Sequence, residues 1–461
     1  ACDRFSIHWA EPAIMKNRWK FAVYAFLSVG AIVLVSAAVF LFYPDPFINT
    51  FLKGRITEAF REAYPVYSIR IGGLHYNIRE NRIGFDSVAL TTMDSTLSCT
   101  IAAYSVSGIG WLELLWARGL VPSGFTGTVL DAHGVVVNFP QEQYELRCEL
   151  LRVSVPDSEI VVEALKLHPL GDDEHFFGGS KFRKTRFRLV VPHARVTGLA
   201  CLELLQGKMY RTRSAHIYDA FIDVLINKDK PAARDTSSPP MPNEILASIE
   251  QTIEVDSLNI WNGGLKYGER FAAGSEPAVI TLDSMQVSVR GIDNRGDASD
   301  TVVIRAKGEF MKSAEVNILM SIPISSPEFS FQYSGSLSSM KLNALNPFVD
   351  PAEQVRIKSG SLQAGSFDIN VTAGHASGSV RAVYRDLTLA AINKHTGSEK
   401  GFFDGIASFV ANTFKIRGTN VSDKSGSIKI GEVKYTRKRD EFFLEFVWFA
   451  LRSGVGDVVG F

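Results

Sequence analysis

Residues 316–324 read VNILMSIPI, and the apolar side chains in this stretch recur at every second position. Val316, Ile318, Met320, Ile322 and Ile324 form the alternating series. In a β-strand successive side chains point to opposite faces, so this period of two gathers the series on one face. The stretch therefore predicts a strand with one face in an apolar setting.

The same alternation recurs on both sides of this stretch. Phe329, Phe331 and Tyr333 alternate with polar residues directly after it, and the region around Ile69 repeats the pattern near the start of the chain. Glycine- and asparagine-rich turns such as Asn262-Gly263-Gly264 separate the strands. We therefore predict a mainly β protein made of antiparallel strands with short helices between them.

An apolar run from Phe21 to Tyr43, FAVYAFLSVGAIVLVSAAVFLFY, holds no charged residue. About 20 apolar residues cross a bilayer core about 30 Å thick. Lysine and arginine crowd its N-terminal side, so the positive-inside rule places residues 1–20 in the cytoplasm. We interpret residues 21–43 as an uncleaved membrane anchor, with a buried core helix as the alternative. The residues predicted to mark this anchor are Trp19, Phe21, Leu27, Leu34, Phe40 and Tyr43.

Residues 44–63 have the helical spacing of apolar side chains, with charged residues between them. An amphipathic helix just outside a membrane can lie in the interface. The other interpretation is a helix that caps the first strands. Both interpretations remain open from the sequence.

The chain beyond the helix divides by composition into four parts. An N-terminal β region covers residues 64–227, and a linker rich in proline, serine and charge covers 228–243. A middle β region follows at 244–340. A C-terminal β region with an apolar tail covers 341–461.

The apolar tail reads FFLEFVWFALRSGVGDVVGF over residues 442–461. Its apolar residues form a helical face, but the segment is too short and interrupted to predict a membrane span. One interpretation is a segment that contacts a partner or a membrane. The other is a hydrophobic plug that closes the β structure. The residues proposed for partner or membrane contact are Phe443, Phe446, Trp448, Phe449 and Leu451.

Composition and motifs give no indication of catalysis. Lysine plus arginine and aspartate plus glutamate number 49 each. The chain therefore has no excess of positive charge that would favour binding to nucleic acid. The nucleophile-elbow, zinc-protease and phosphate-loop signatures are absent from the sequence. The four cysteines lie far apart, so a metal site is not predicted, and whether any two form a disulfide stays open. We predict a protein without catalytic residues, metal or cofactor.

Several segments resemble the AsmA-like family of bacterial envelope proteins. The similarity covers the apolar run and the stretch from Phe51 to Leu90, then LASIEQTIEVDSLNIWNGGLKYGER at 246–270. It is strongest near the C-terminus, at KLNALNPFV (341–349) and in GEVKYTRKRDEFFLEFVWFALRSGVGDVVG (431–460). This chain is short for the family.

The resemblance implies a long antiparallel sheet curled into a groove with an apolar inside. Such proteins are tied to the bacterial inner membrane at the N-terminus and project into the periplasm. Several relatives are implicated in moving phospholipid between the inner and outer membranes. The resemblance provides no catalytic residues.

We therefore predict a periplasmic β-groove that binds or conducts phospholipid acyl chains and supports outer-membrane lipid homeostasis. The partners implied are phospholipid, the inner membrane and, as a second candidate, the outer membrane. The residues predicted to line the groove are Val316, Ile318, Met320, Ile322, Phe329 and Phe331. The alternative is a scaffold or assembly factor that docks an envelope protein through its C-terminal segment.

Overall fold

A computed structural model describes most of the chain from residue 64 to residue 460. The described residues exclude 78–79, 111–121, 206–208, 232–237, 297–299, 325–328, 393–415, 423–426 and 440, and they include 54, 57, 58 and 60–62. The strands of the described chain form one 20-stranded sheet. The prediction of a mainly β chain with short helices is confirmed.

The strands before the linker vary widely in length. They are β1 (Tyr67–Ile71), β2 (Leu74–Asn77), β3 (Arg82–Phe85), β4 (Val88–Thr92), β5 (Ser98–Ser107), β6 (Val129–Phe139), β7 (Tyr144–Ser154), β8 (Glu159–Pro169), β9 (Thr185–Thr197), β10 (Met209–Tyr218) and β11 (Phe221–Asn227). Those after it include the longest strands of the described chain. They are β12 (Thr252–Arg270), β13 (Ala278–Asp293), β14 (Val302–Phe310), β15 (Ala314–Ile322), β16 (Phe331–Leu337), β17 (Met340–Lys341), β18 (Val355–Thr372), β19 (His375–Ala391) and β20 (Ile430–Thr436).

Short helices lie between the strands, and a longer one ends the described chain. They are α1 (Asp173–Gly178), α2 (Cys201–Leu205), α3 (Pro242–Ala247), α4 (Asn346–Glu353) and α5 (Phe443–Val459), with 3-10 turns at Pro122–Phe125 and Leu342–Leu345. The Asp172 side chain begins α1 by accepting a hydrogen bond from the His175 N–H at 2.7 Å. Asp172 is therefore the N-cap of α1.

The sheet is mixed, which corrects the prediction of an antiparallel one. Strand β12 pairs in parallel with both β10 and β11, which lie end to end beside it. The other neighbouring strands pair antiparallel, and β12 does so with β13. Side-chain alternation is the same in both arrangements, whereas parallel neighbours need a crossover connection. Residues 228–251, which contain the predicted linker, provide that crossover.

Bulges bend several long strands near their middle. Gly134, Ala164, Asn262 and Ser284 have left-handed backbone angles, with φ of 61°, 52°, 56° and 50°. The β12–β13 register shifts on both sides of Gly263. A bulge adds one residue to its strand and increases the local twist, so the apolar face continues although the alternation is interrupted.

Two large hydrophobic clusters lie at opposite ends of the sheet. One joins β1–β6 with Phe60, Ile109 and Phe125, and the other joins β14–β20 with α5. Phe60, in a helical stretch, is 2% exposed. Of the two interpretations of residues 44–63, the position of Phe60 favours a cap over the first strands.

The predicted anchor, including Trp19 and residues 21–43, lies outside the described residues. Within the described part of the chain, none of the helices has the length and apolar character that crossing a membrane requires.

Candidate functional site

Apolar residues form a continuous row across one face of the sheet. Paired residues on neighbouring strands point to the same side, so the row follows the strand registers. It runs through Leu74, Phe85, Tyr104, Ala132, Leu151, Val162, Ala194, Ile217, Ile260, Val287, Ala306, Ile318, Gly335, Phe367, Val380 and Gly431. At about 4.8 Å per strand, this central row is about 70 Å long. Helix α5 packs on the same face, which we call the inner face.

Two further apolar rows flank the central row on the inner face. The upper row consists of Ile83, Val106, Leu130, Val153, Ile160, Val196, Ala215, Leu258, Val289, Ile304, Met320, Tyr333, Ile369, Gly378 and Val433. The lower row consists of Ile69, Leu90, Cys99, Val137, Leu146, Leu167, Leu189, Ile222, Leu265, Leu282, Phe310 and Ala314. The apolar surface of the inner face therefore extends along the strands as well as across them.

The opposite face is mostly polar at the same level. Its row contains Ser105, Asp131, Arg152, Val161, Arg195, His216, Asn259, Ser288, Arg305, Leu319, Ser334, Asp368, Ser379 and Glu432. Cross-strand ion pairs join some of them, as between Arg152 Nε and Asp131 Oδ1 at 2.6 Å. This contrast gives the sheet one wet face and one apolar face.

Described residues cover the ends of the central row but not its centre. Phe85 and Tyr104 lie in the N-terminal cluster, and Val380 lies in the C-terminal cluster under α5. The members from β8 to β15 are only partly buried and belong to none of the hydrophobic clusters of the described chain. They are Val162, Ala194, Ile217, Ile260, Val287, Ala306 and Ile318. We call this stretch the window, and it is about 30 Å long at the usual strand spacing.

A concavity of 570 Å³ lies over the part of the window formed by β12 to β15 and continues to β18. Ile260, Val287, Ala306 and Ile318 lie along it, and the Phe367 ring borders it. Gly335 permits this arrangement, because a Cβ there would lie 2.5 Å from Phe367 Cζ. A concave apolar surface of a few hundred Å³ is typical of sites for small hydrophobic ligands.

The predicted lining residues divide between the concavity and the core. Val316, Ile318, Met320 and Ile322 share the inner face, and of these Ile318 lines the concavity. Met320, Ile322 and Phe331 are buried in the C-terminal cluster, and Val316 is also buried. Phe329 packs beside Phe331, with ring centroids 5.1 Å apart.

The predicted contact residues of the tail lie in α5, which packs on the protein's own sheet. Phe446 is fully buried against the rings of Phe329 and Phe331, while Phe443 and Leu451 are partly buried in the same cluster. The Trp448 ring meets Phe348 of α4 edge-on, at 5.6 Å between centroids. Phe449 lies 6.0 Å from Tyr435, centroid to centroid. This position matches the alternative in which the tail closes the β structure.

A buried ionic group, the Lys228 cluster, holds the start of α5. Lys228 Nζ lies 2.9 Å from Glu269 Oε1 and 2.9 Å from Glu445 Oε1. The Tyr267 hydroxyl donates to the same Glu269 oxygen at 2.7 Å. Burial raises the pKa of Glu445, and Lys228 opposes that rise. The cluster connects the linker, β12 and α5 through one cation.

Two glycines allow α5 to approach the edge strand. A Cβ on Gly431 would lie 2.1 Å from the Gly454 carbonyl oxygen. A Cβ on Gly454 would lie 2.5 Å from Val380 Cγ2. The helix therefore lies directly on the backbone of β20.

Replacing Gly431 with alanine is expected to loosen α5, because no space exists for the added methyl group. Overpacking of this kind costs about 1–3 kcal/mol. Hydrogen exchange of residues 443–459 in the full chain should become faster. Gly178→Ala is the matched control, because nothing lies within 4 Å of the Cβ it would add. Equal exchange rates in both variants would show that the close approach does not hold the helix.

The described residues provide no metal site, since none of their His, Cys, Asp and Glu side chains form a group that could hold an ion. Cys99, Cys148 and Cys201 are free and buried, and burial raises the pKa of the Cys99 thiol to about 11. Arg186 and Arg188, in the basic run 181–188, form ion pairs with Asp173 and Asp223.

The sequence patterns predicted neither the Lys228 cluster nor the small residues of the window. The sequence offers one indication of the Lys228 cluster, because Glu445 is the lone acid within the apolar segment 442–451. A buried acid generally requires a partner, but no local pattern identifies Lys228 as that partner. Ala306 and Gly335 matter through register alone, which the sequence does not show.

A scan of the chain against protein-family models and a search of curated proteins each find no match.

Proposed function

We propose that this protein holds acyl chains of phospholipid against the window of the inner face. The observation that supports this proposal is the central row, in which apolar residues from β8 to β15 stay partly exposed and no described residues form a layer over them. Apolar surface left in water costs about 25 cal/mol per Å², so a hydrocarbon ligand there is stabilised. No bond changes in this role, and the protein is not an enzyme.

The dimensions of the window suit a lipid tail. A bilayer core of about 30 Å contains two layers of chains, so one tail is about 15 Å deep. The window, about 30 Å long, therefore accommodates a tail lying across the strands. The opposite face is mostly polar, so it can stay in contact with water while the window holds the tail.

The proposed location follows from the sequence and from the resemblance to AsmA-like proteins. Residues 21–43 would anchor the chain in a bacterial inner membrane, with the sheet curled into a groove in the periplasm. An anchored groove would receive chains from the membrane in which it is held and support outer-membrane lipid homeostasis.

The scaffold alternative is favoured by a different observation. Tyr218, Phe221 and Trp261 are exposed by 37%, 40% and 44%, and the register places Tyr218 beside Trp261 on the outer face. Exposed aromatic side chains are frequent at protein interfaces. A protein partner would then contact these aromatic residues on the outer face.

Two isoleucines on opposite faces provide a matched test of the acyl-chain proposal. Ile318 lies on the inner face and lines the concavity, whereas Ile430 of β20 is 52% exposed and lies on the outer face, outside that lining. A photoreactive benzoylphenylalanine placed at each position in the full chain in cells should form lipid adducts at Ile318 and not at Ile430. Mass spectrometry of the purified protein identifies the adduct.

A charge in the window should block the same reaction. With the photoreactive residue at Val287, Ile318→Asp should reduce lipid adducts at least about tenfold, since a carboxylate loses hydration against hydrocarbon. Ile430→Asp should leave them unchanged, because Ile430 is exposed on the outer face and lies outside the concavity. Equal adducts in the two variants, or none at any inner position, would reject the proposal.

A further inference from the structure

A second concavity, of 470 Å³, lies at the end of strands β16, β19 and β20. We call it the basic pocket. Its lining comprises Ser238, Phe329, Thr436, Arg437, Lys438 and Arg439, together with the turn at residues 373–374. Three consecutive cations and one aromatic ring therefore line the pocket, and none of the described residues that line it is acidic.

Arg437 is a partly buried cation without a carboxylate partner among the described residues. Its Nη2 donates to Ser238 Oγ at 2.7 Å, to the Pro239 carbonyl at 2.6 Å and to the Glu441 carbonyl at 3.1 Å. Its Nε donates to the same Glu441 carbonyl at 3.3 Å. All these acceptors are neutral, and burial lowers the pKa of Arg437.

The carboxylates of Glu244 and Glu441 act on Arg437 only electrostatically, without an ion pair, and both accept other hydrogen bonds. Glu244 accepts one from the Met241 backbone N–H. The Glu441 carboxylate accepts hydrogen bonds from the Tyr435 hydroxyl and from the Lys438 backbone N–H. The side chains of Lys438 and Arg439 are exposed and form no ion pair with any part of the chain that the structure describes. By contrast, Arg186, Arg270 and Arg356 all pair with carboxylates.

We propose that the basic pocket binds a phosphate group, either free or as the ester of a lipid headgroup. Buried charges are normally paired, and Arg437 and its two cationic neighbours form no ion pair within the described chain, so the pocket favours an anion. Arginine and lysine bind phosphate oxygens through charge-assisted hydrogen bonds. The Phe329 ring, 5.6 Å from the Arg437 guanidinium carbon, provides an apolar wall for the organic part of an ester.

This site stands apart from the acyl-chain proposal, because a phosphate group needs no contact with the window. Lys438 and Arg439 lie outside the central row, and Ile318 does not line the basic pocket. Failure of one proposal therefore leaves the other intact.

The test is calorimetric titration of the full chain, in neutral detergent at low salt, with inorganic phosphate and with glycerol phosphate. Saturable binding is expected, and Lys438→Gln with Arg439→Gln should weaken it at least about tenfold. Lys434→Gln with Lys307→Gln is the control, because both lysines already pair with glutamates on the surface.

The two ligands distinguish the sources of the phosphate. Binding of both identifies a site for the phosphate group itself, and binding of the ester alone identifies a headgroup site. Absence of saturable binding of either ligand would overturn the proposal. Binding that the Lys438 and Arg439 replacements leave unchanged would overturn it as well.

Discussion

Replacing Lys228 with methionine is expected to lower the free energy of unfolding by about 3–5 kcal/mol, because it leaves two buried carboxylates without their cation. Glu269 and Glu445 are both within 2.9 Å of Lys228 Nζ and would then face each other. Chemical denaturation of the full chain measures the loss. Hydrogen exchange of α5 should increase most, because Glu445 begins that helix.

The free energy of unfolding that is lost in Lys228→Met should depend on pH. The pKa of Glu445 is raised in the folded protein, so its charged form costs stability above that pKa. Protonation removes the cost as the pH falls toward the ordinary glutamate value. The stability difference between Lys228→Met and the parent should therefore shrink on acidification.

Two comparisons sharpen the Lys228 prediction. Lys434→Met removes an exposed ion pair with Glu432 and should cost at most about 1 kcal/mol. Adding Glu269→Gln and Glu445→Gln to Lys228→Met should recover part of the loss, since no unpaired charge remains. If the triple variant is as unstable as the single one, packing around Lys228 and not charge holds the helix.

Replacing Phe446 with alanine is expected to cost about 3–5 kcal/mol, the usual result when a buried aromatic side chain leaves a cavity. Phe446 is fully buried, and its ring centroid lies 5.7 Å from that of Phe329 and 6.0 Å from that of Tyr435. The loss should appear in denaturation of the full chain and as faster hydrogen exchange in α5.

Leu444→Ala is the matched control for Phe446, because Leu444 lies in the same helix and is 46% exposed. Its replacement should change the free energy of unfolding by about 0.5 kcal/mol or less. Similar losses in the two variants would mean that α5 does not dock as described. A large loss confined to Phe446 would confirm that the tail closes the C-terminal end of the inner face.

Closure by α5 has a consequence for the proposed function. The central row is covered at β18–β20 by α5 and near β2–β6 by the cluster that contains Phe60. Acyl chains would therefore occupy a bounded window and not the full length of the sheet. Movement of a chain past β18 would require α5 to leave its position.

Alternation in the sequence predicted both strand structure and side-chain direction in β15. Val316, Ile318, Met320 and Ile322 do share one face, because successive side chains in a strand point to opposite sides. The same alternation does not predict side-chain direction along strands that contain bulges. Ile260 and Leu265 both lie on the inner face although five positions separate them, since register shifts intervene.

The sequence could not separate groove residues from core residues. Ile318 and Met320 have the same alternation and similar hydrophobicity, yet Ile318 borders the concavity and Met320 is buried in the C-terminal cluster. Met320 belongs to the cluster that includes residues of α5, which are more than a hundred positions away in the chain. The sequence does not identify Lys228 as the partner of Glu445 either, because the two residues are far apart in the chain.

By itself, the sequence determined that the described chain is mainly β and that one side of its strands is apolar. Both properties arise from neighbouring residues, through the geometry of the extended backbone. Only the tertiary structure decided the parallel pairing of β12, the uncovered window, the Lys228 cluster and the unpaired cations of the basic pocket. These depend on contacts between residues far apart in the chain, which local periodicity does not encode.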